Sequence, residues 1–383
     1  MEPDHLIYIR TDGNSQIASG HLMRCLSIGN ACKKLGFQVH FLVSDQESVS
    51  LLQRNMPFSF PVTCLKSAVY DHLEQELPEL LPLLAGTGKQ KITFLLDSYY
   101  VTKKYLISIK KFAKTVYIDD LMLFDYPVDL LVNYDVIPSH KMPSYQAAYQ
   151  NAGKTLLGAA YAPLRDQFQN REMPIRSQVK NILIATGGSD PFHFCLRFID
   201  FLKETFSLQN GEHVLIPDGM PGGIVFHILV GSLNTDRDRL FSIAQTSPFI
   251  EVYENVTDMA SLMESCDLAV SAAGTTLYEL CALGIPAISY TMADNQLPSA
   301  TAFAESEIIP YSGDIRGSMD RVLYNIMEFL SQMWQPAPSG STSNITASYK
   351  KREIAHKTMR SFIDGEGSLK IARAIAELAL FLI

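Results

Sequence analysis

The sequence predicts an α/β protein of two Rossmann-like domains that face each other across a cleft. Short apolar runs of strand type alternate with segments of helical spacing, which is typical of parallel βαβ units. The chain has 383 residues, more than one hydrophobic core normally serves. Each half begins with a strand that leads into a glycine-rich turn and a helix. Ligands of such sheets bind outside the carboxyl ends of the strands.

The first half contains five runs that predict strands, at 6–9, 39–43, 92–96, 115–118 and 130–132. Apolar residues at helical spacing predict helices at 73–84 and 102–112, and a further helix that follows the loop 10–25 and ends before Gly36. The alternation of predicted strands and helices is interrupted between residues 161 and 179. We place the domain boundary there.

The second half predicts strands at 181–185, 227–230, 250–253, 267–270 and 286–290. A turn at Gly187 and Gly188 precedes a helix predicted over 191–203, with Asp190 as N-cap and Pro191 as its first residue. Residues 335–348 are rich in Pro, Ser and Thr and predict a surface excursion. We therefore expect domains at 1–165 and 175–362, and a closing helix within 363–383 that packs back on the first domain.

Composition narrows the class of protein. The formal net charge of −8 and the pI near 5.6 argue against a general nucleic-acid binder, since such a surface repels a polyanion. Six cysteines are scattered without the spacing of a metal site, which favours reduced thiols and a cytoplasmic protein. The last apolar stretch is shorter than the ~20 residues of a membrane span. We expect a monomer that binds a small molecule, without nucleic acid or stable membrane insertion.

The loop 10–25 carries His21 at the mouth of the first long helix. The positive end of a helix dipole disfavours imidazolium, so the ring is expected to be neutral and able to accept a proton. The alternative is that His21 has no chemical role and only forms a hydrogen bond with the backbone of the loop. Asp12 could orient the ring, bind substrate or form an Asx turn.

A second constellation occupies 271–279, between a predicted strand and a helix. Gly274 permits close backbone approach, and Thr275 and Thr276 add hydroxyl groups at a helix N-terminus, as in a phosphate cradle. Glu279 can accept hydrogen bonds from a ribose diol. However, Thr276 and Glu279 also have the spacing of a capping box, which needs no ligand.

Further polar residues follow other strands. Ser189 lies in the glycine turn, and the amides of Asn295 and Gln296 could bind sugar or diphosphate oxygens. His193 is expected inside the following helix, in a packing or surface role.

Six motifs occur in order along the chain: Asp12…Gly20-His21-Leu22-Met23-Arg24-Cys25, Leu96-Asp97-Ser98-Tyr99, Gly187-Gly188-Ser189-Asp190, the run 271–279, Leu283-Gly284-x-Pro286 and Asn295-Gln296. In these motifs the chain resembles the UDP-sugar hydrolase family of pseudaminic acid biosynthesis, which is similar in fold to the GT-B glycosyltransferases. The resemblance implies hydrolysis of UDP-2,4-diacetamido-2,4,6-trideoxy-β-L-altropyranose to UDP and free sugar, with inversion and without a metal or other cofactor.

The resemblance also implies roles for individual residues. His21 becomes the catalytic base of the first domain, and UDP is bound mainly by the second. The residues expected to bind UDP are Gly274, Thr275, Thr276 and Glu279. The resemblance gives sugar-binding roles to Tyr99 and Asn295. We also expect substrate binding by Asp12, Gly20, Arg24, Gly188, Ser189 and Gln296.

Two alternatives to the hydrolase stay open. One is a GT-B glycosyltransferase of surface polysaccharide synthesis, which passes the sugar to an acceptor other than water. The other is a non-catalytic protein that binds a UDP-sugar.

Overall fold

The computed structural model describes residues 5–380 except 15, 18, 57–58, 87–90, 172, 206–222, 232 and 335–346. The chain divides into two compact units. The first comprises Met1–Asp166 with Gly365–Ile383, and the second comprises Gln167–Asp364. Each unit is built on one parallel sheet.

The sheet of the first unit has seven strands: β1 (His5–Arg10), β2 (Gln38–Val43), β3 (Val62–Cys64), β4 (Lys91–Leu96), β5 (Lys114–Ile118), β6 (Leu130–Asn133) and β7 (Lys154–Leu157). Their order across the sheet is β3-β2-β1-β4-β5-β6-β7, so the winding direction changes between β1 and β4. Arg10 is in register with Leu96. The loops after β1 and β4 therefore leave the sheet side by side, at the switch point where ligands of such sheets bind.

Five helices connect these strands: α1 (Gly20–Lys34), α2 (Gln46–Asn55), α3 (Leu77–Ala85), α4 (Lys103–Lys110) and α5 (Met142–Ala148). The longest, α1, packs closely on the sheet. A Cβ atom at Gly29 would lie 3.0 Å from the ring of Phe41 and 3.3 Å from the side chain of Ile9. The absence of a side chain at Gly29 thus sets how near α1 approaches β1 and β2.

The sheet of the second unit has six strands: β8 (Asn181–Ala185), β9 (Val225–Val230), β10 (Ile250–Glu254), β11 (Leu268–Ala272), β12 (Ala287–Thr291) and β13 (Tyr311–Asp314). Their order is β10-β9-β8-β11-β12-β13, and its switch point lies between β8 and β11. The helices of this unit are α6 (Phe194–Thr205), α7 (Arg237–Thr246), α8 (Met259–Ser265), α9 (Thr276–Leu283), α10 (Leu297–Glu305), α11 (Met319–Trp334) and α12 (Ala347–Phe362).

The last helix, α13 (Gly367–Leu380), belongs to the first unit. Ile371 and Ile375 are fully buried in the same cluster as the β1 side chains. Ser368 donates a hydrogen bond of 3.1 Å to the carbonyl oxygen of Leu164. A Cβ atom at Gly367 would collide with the carbonyl of Ala162, so this position requires glycine.

The prediction of two parallel-sheet α/β domains is confirmed, whereas the expected cleft between them stays a prediction. All ten predicted strands are present within two residues of their predicted bounds. The sequence analysis missed three strands and four helices, namely β3, β7, β13, α2, α5, α10 and α11. The predicted excursion 335–348 lies outside the described residues as far as 346, and its last two residues begin α12.

Candidate active site

His21 lies in the first turn of α1 and bonds a carboxylate on the neighbouring strand end. Its Nδ1 atom is 2.7 Å from Oδ1 of Asp97, the first residue after β4. The side chain of Asp97 is fully buried and that of His21 is nine-tenths buried. The register of β1 and β4 brings the two residues together, because their loops leave the sheet side by side.

Arg24 lies one turn beyond His21 on α1 and holds the same carboxylate in a two-point contact. Its Nε and Nη2 atoms donate to Oδ2 and Oδ1 of Asp97, each at 2.6 Å, and Nη1 donates to the hydroxyl of Tyr134. Burial alone would raise the pKa of Asp97, but the charges of Arg24 and His21 and their hydrogen bonds hold it well below its usual range. Asp97 is therefore an ionised acceptor.

The partners of His21 determine which ring nitrogen carries the proton. Nη2 of Arg24 lies 2.9 Å from Nδ1, beside the carboxylate. An ionised carboxylate only accepts hydrogen bonds and a guanidinium only donates them, so Nδ1 bonds Asp97 when it carries the proton and Arg24 when it does not. The contact with Asp97 is the shorter of the two, 2.7 Å against 2.9 Å, which favours the proton on Nδ1. In the neutral ring, Nε2 then keeps a free lone pair. This tautomer is the one that a general base needs.

Tyr99 extends this cluster toward solvent. Its ring meets the His21 ring edge-on, with centroids 4.4 Å apart, and its hydroxyl donates to Oδ2 of Asp120 at 3.0 Å. Burial first, and then the charge of Asp120, raises the pKa of Tyr99. Tyr99 thus stays a neutral hydrogen-bond donor beside the histidine.

Asp12 does not orient the His21 ring, a role that falls to Asp97. Its Oδ2 atom accepts from Nη1 of Arg10 and its Oδ1 atom accepts from the backbone N–H of Ser44, both at 2.6 Å. Arg10 is completely buried and also donates to Glu76. Asp12 therefore ties the end of β1 to the loop after β2.

The Asx turn considered for Asp12 is formed by another residue of the same loop. Oδ1 of Asn14 accepts hydrogen bonds from the backbone N–H groups of Gln16 and Ile17. Gly20 is exposed, and a Cβ atom there would meet no neighbour within 4 Å. A recess opens over this loop, lined by Asp12, Ile17, His21, Tyr70, Asp97, Ser98, Tyr99 and Tyr100.

In the second unit, α9 begins directly after the glycine-containing turn that follows β11. Its first residue is Thr276, and Thr275 is the N-cap without a side-chain capping bond, so the capping box considered from the spacing is not formed. Gly274 and Thr275 are exposed and Glu279 is half-buried in the first turn. A Cβ atom at Gly274 would meet nothing within 4 Å. Packing gives no reason for glycine here. The backbone N–H groups of Leu277 and Tyr278 donate to the carbonyls of Gly274 and Thr275, so within the described residues the N–H groups of Thr275 and Thr276 are the ones at this turn that stay available for a ligand.

The glycine turn after β8 lies next to the β11 turn in the strand order. Gly188 is exposed and Ser189 is half-buried. Asp190 is not the N-cap residue, because α6 begins at Phe194, but its carboxylate accepts the backbone N–H groups of Phe194 and Cys195, the first two residues of the helix. The prediction of Pro191 as the first helical residue was therefore wrong.

His193 also lies before α6, contrary to its predicted place inside the helix. Its Nδ1 atom is 2.6 Å from Oδ2 of Asp236, and this hydrogen bond, together with the carboxylate charge, raises the pKa of His193. The imidazole is exposed.

The amide residues after β12 differ in their surroundings. Asn295 is exposed, whereas Oε1 of Gln296 accepts the backbone N–H of Met292 at 2.8 Å. The carbonyl end of Gln296 thus holds its own turn together. Its amide nitrogen is the group that remains for a ligand.

Metal-binding clusters and membrane-spanning helices are both absent from the described residues. No group of three or more His, Cys, Asp or Glu side chains there is placed to hold a metal ion. No helix in the described ranges combines the length and the apolar character that crossing a bilayer requires.

The sequence analysis assigned no role to Asp97, Asp120 or Tyr134, and did not consider Glu76. Asp97 had a recognisable signal, because it directly follows a predicted strand, and Asp120 and Tyr134 each lie two positions beyond the end of one. Glu76 had none, since its role depends on which segments meet in space.

Comparisons with known proteins agree with this architecture. Residues 182–305, from β8 to the end of α10, match the family model described as the glycosyltransferase family 28 C-terminal domain. The crystal structure of Acinetobacter baumannii MurG resembles the chain with a TM-score of 0.63 at 13% identity, over 97% of this chain and 99% of MurG. The chain therefore has the GT-B glycosyltransferase fold.

Two distant relatives carry informative names. The spore coat polysaccharide biosynthesis protein SpsG of Bacillus subtilis is 25% identical over 58% of this chain and 58% of SpsG. The pseudaminic acid cytidylyltransferase and UDP-2,4-diacetamido-2,4,6-trideoxy-beta-L-altropyranose hydrolase of Helicobacter pylori is 24% identical over 74% of this chain and 44% of that protein. The chain spans about half the length of the curated relatives it matches.

Proposed function

We propose that this protein hydrolyses a UDP-linked 2,4-diacetamido-2,4,6-trideoxy sugar to UDP and the free sugar. The observation that carries the proposal is the pair of His21 and Asp97, in which a buried carboxylate holds the proton on Nδ1 and leaves Nε2 for a substrate water. The name of the Helicobacter pylori relative supports the same reaction class.

In the proposed reaction, water attacks the anomeric carbon of the sugar. Nε2 of His21 accepts the proton of the attacking water while the new C–O bond forms. The bond from the anomeric carbon to the UDP oxygen breaks on the opposite face, and its electron pair leaves with UDP, so the configuration inverts. Asp97 stabilises the imidazolium that forms, as in other histidine–carboxylate pairs. UDP is a good leaving group, so a strong general acid is not required.

We assign the diphosphate to the start of α9. The exposed Gly274 and Thr275 and the helix dipole suit an anion, and Glu279 in the same turn suits the ribose diol. Asn295, Ser189 and Gly188 follow neighbouring strands and are proposed to bind the remaining polar groups. Arg24 becomes a positioning residue in this scheme, because Asp97 and Tyr134 occupy its guanidinium.

The test is the release of UDP from a panel of UDP-sugars by the wild type and by His21→Ala and His21→Phe. We expect both variants to lose about 10²–10⁴-fold in rate, the usual contribution of a general base. His40→Ala is the matched control, since the His40 ring bonds Thr63 elsewhere in the same unit. If both His21 variants still release UDP at the wild-type rate, His21 is not the catalytic base.

A glycosyltransferase is the second candidate, favoured by the match of residues 182–305 to a glycosyltransferase domain. Product analysis separates the two activities. A hydrolase yields free sugar with no acceptor present, whereas a transferase releases UDP at a useful rate only when an acceptor is added. Tight UDP binding without turnover of any UDP-sugar would instead indicate a non-catalytic binding protein.

A further inference from the structure

The turn after β5 exposes three consecutive apolar side chains to solvent, at residues 121–123. We call these residues the apolar tip. Five of the fourteen large apolar or aromatic side chains that are exposed in the described residues lie between 107 and 123, namely Ile107, Phe112, Leu121, Met122 and Leu123. Single exposed apolar residues are ordinary, but a run of three is a liability unless it serves a contact. The apolar tip is therefore a candidate contact surface.

A buried carboxylate holds the turn that displays the apolar tip. Asp119 accepts the backbone N–H groups of Leu121 and Met122. Its oxygen atoms also accept the hydroxyl groups of Tyr126 and Tyr149. Met122 has a φ of 51°, in the left-handed region that a residue other than glycine seldom adopts. Such a conformation persists only where the surrounding contacts enforce it, so the fold itself fixes these side chains in the exposed position.

The helix α4 extends the apolar tip with a second exposed face. Nζ of Lys103, the first residue of α4, donates to both carboxylate oxygens of Asp125, at 2.8 and 2.7 Å, and so ties the start of the helix to the turn. Ile107 lies one turn further along and is exposed, as are Lys110 and Lys111 at the end of the helix. Helical spacing places these residues on the side of α4 that is turned away from the sheet.

Positive charge is concentrated on this face. Residues 102–118 contain five lysines and no acidic residue, although the formal net charge of the chain is −8. Lys103 and Lys104 pair with acidic side chains, but exposed ion pairs of this kind are weak and can be exchanged for another partner. Lys110 and Lys111 have no carboxylate within ion-pair distance among the described residues. The face therefore suits an anionic partner.

Apolar side chains set among lysines fit a lipid surface better than a protein surface. At an anionic bilayer the apolar groups enter the headgroup region while the ammonium groups meet lipid phosphates. Interfaces between proteins are, by contrast, depleted of lysine.

We propose that the apolar tip and the outer face of α4 bind reversibly to the surface of an anionic membrane. This contact is adsorption to one face of the bilayer and needs no spanning helix. The apolar tip is linked to the candidate active site, because Asp120, the residue before Leu121, accepts the hydroxyl of Tyr99 at 3.0 Å. Binding by this surface therefore keeps the candidate site beside the membrane.

The first test is co-sedimentation of the full chain with vesicles of phosphatidylcholine that contain about 30% phosphatidylglycerol. Vesicles of pure phosphatidylcholine are the neutral comparison. We expect at least about fivefold stronger binding to the anionic vesicles, the effect of one lysine near such a surface. Raising the salt concentration should weaken this binding, since salt screens the exposed lysines.

Paired variants separate the two parts of the surface. Leu121→Ser combined with Leu123→Ser should weaken binding to the anionic vesicles by about tenfold or more, because two leucines no longer leave water. Lys110→Gln combined with Lys111→Gln should weaken the same binding by about tenfold and leave the neutral vesicles unaffected. Leu233→Ser, at a 74% exposed position of the second unit, is the control and should change nothing. All five positions are exposed, so the melting temperatures should stay the same.

A fluorescent reporter tests whether the apolar tip itself enters the lipid. The chain has a single tryptophan, Trp334, which is buried in the second unit. The emission of Leu123→Trp should shift to shorter wavelength when the anionic vesicles are added, since the indole leaves water. Tyr324→Trp is the matched control, because Tyr324 and Leu123 are both 65% exposed but Tyr324 lies on α11 of the second unit. Its emission should not shift.

Two outcomes would overturn the proposal. One is equal sedimentation of the wild type and the double serine variant with the anionic vesicles. The other is absence of vesicle binding together with self-association in light scattering that the double serine variant abolishes, which would assign the apolar tip to a second copy of the chain. The hydrolase proposal stands or fails separately, because UDP release is measured without vesicles.

Discussion

Nδ1 of His21 lies 2.7 Å from Oδ1 of Asp97, although 76 positions separate the two residues in the chain. The contact joins the start of α1 to the end of β4, the two strand-end loops that meet at the switch point of the first sheet. It occupies Nδ1 and leaves Nε2 as the ring nitrogen without a protein partner among the described residues. The predicted chemistry of the protein therefore depends on this bond as much as on the histidine.

Replacing Asp97 with asparagine should lower the hydrolysis rate by about 100-fold or more, because the amide no longer requires the proton on Nδ1. The change also removes the nearer of the two carboxylates that face the guanidinium of Arg24 and leaves Asp120 at 3.6 Å, so it should cost up to about 3–5 kcal/mol of stability. The rate should therefore be measured well below the melting temperature, with folding checked by circular dichroism.

A double-mutant cycle separates the two effects of this change. Once His21 is alanine, Asp97→Asn should lower the residual rate by little, since the ring that it orients is gone. An equal loss in both backgrounds would mean that Asp97 supports the fold and not the base.

Replacing Arg24 with lysine keeps the charge but removes the two-point contact with Asp97. We expect kcat to fall by about tenfold with little change in KM, because the group acts through Asp97 and His21. A rise in KM at constant kcat would instead show that Arg24 contacts the substrate. Steady-state kinetics with one UDP-sugar decide between these outcomes.

Replacing Gly274 with alanine should leave the melting temperature unchanged, because the added Cβ meets no protein atom within 4 Å. It should weaken UDP binding, since the methyl group stands where the diphosphate is proposed to approach the backbone. Gly29→Ala is the matched control. Its Cβ would press on Phe41 at 3.0 Å, so it should cost about 1–3 kcal/mol of stability. Calorimetry with UDP should show normal affinity for Gly29→Ala.

The carboxyl group of Asp135 makes stability depend on pH. Burial first, and then the charge of Asp120, raises its pKa from 3.8 to about 6. The folded state thus favours the protonated form, and this contribution is complete below pH 3.8 and is lost as the pH rises through 6. Asp135→Asn should therefore stabilise the protein by on the order of 2 kcal/mol at pH 8, with a gain that shrinks toward pH 4.

Asp129→Asn provides the control of opposite sign. Burial would raise the pKa of Asp129, but hydrogen bonds from Thr115 and Lys114 lower it instead. This variant should destabilise the protein at pH 8, with a cost that shrinks at low pH. Thermal scans at constant ionic strength measure both variants, and a stability difference for Asp135→Asn that does not vary with pH would contradict the assignment.

The sequence predicted most strands of both sheets because central parallel strands are continuous apolar runs. It missed β3, β7 and β13, which are three of the four edge strands. Their residues are mostly half-buried or exposed, so the apolar signal is broken. These three edge strands could therefore be recognised only in the three-dimensional structure.

The candidate site divided in a similar way. The positions of His21 and Gly274 could be predicted because each lies in a turn that opens a helix, whereas their roles stay predictions. Asp97 could not be paired with His21, since that step needs the knowledge that β1 and β4 are neighbours. The buried pair of Arg10 and Glu76 was hidden for the same reason, as its partners come from different segments.

Because α13 belongs to the first unit but is made last, the two units complete their folding in a different order from their synthesis. Residues 167–364 are continuous, so the second unit can reach its native state as soon as they have been made. The first unit cannot, because Ile371 and Ile375 complete its core and leave the ribosome only after the whole second unit. The half of the chain that is made first therefore finishes folding last, with the face that receives α13 open in the meantime.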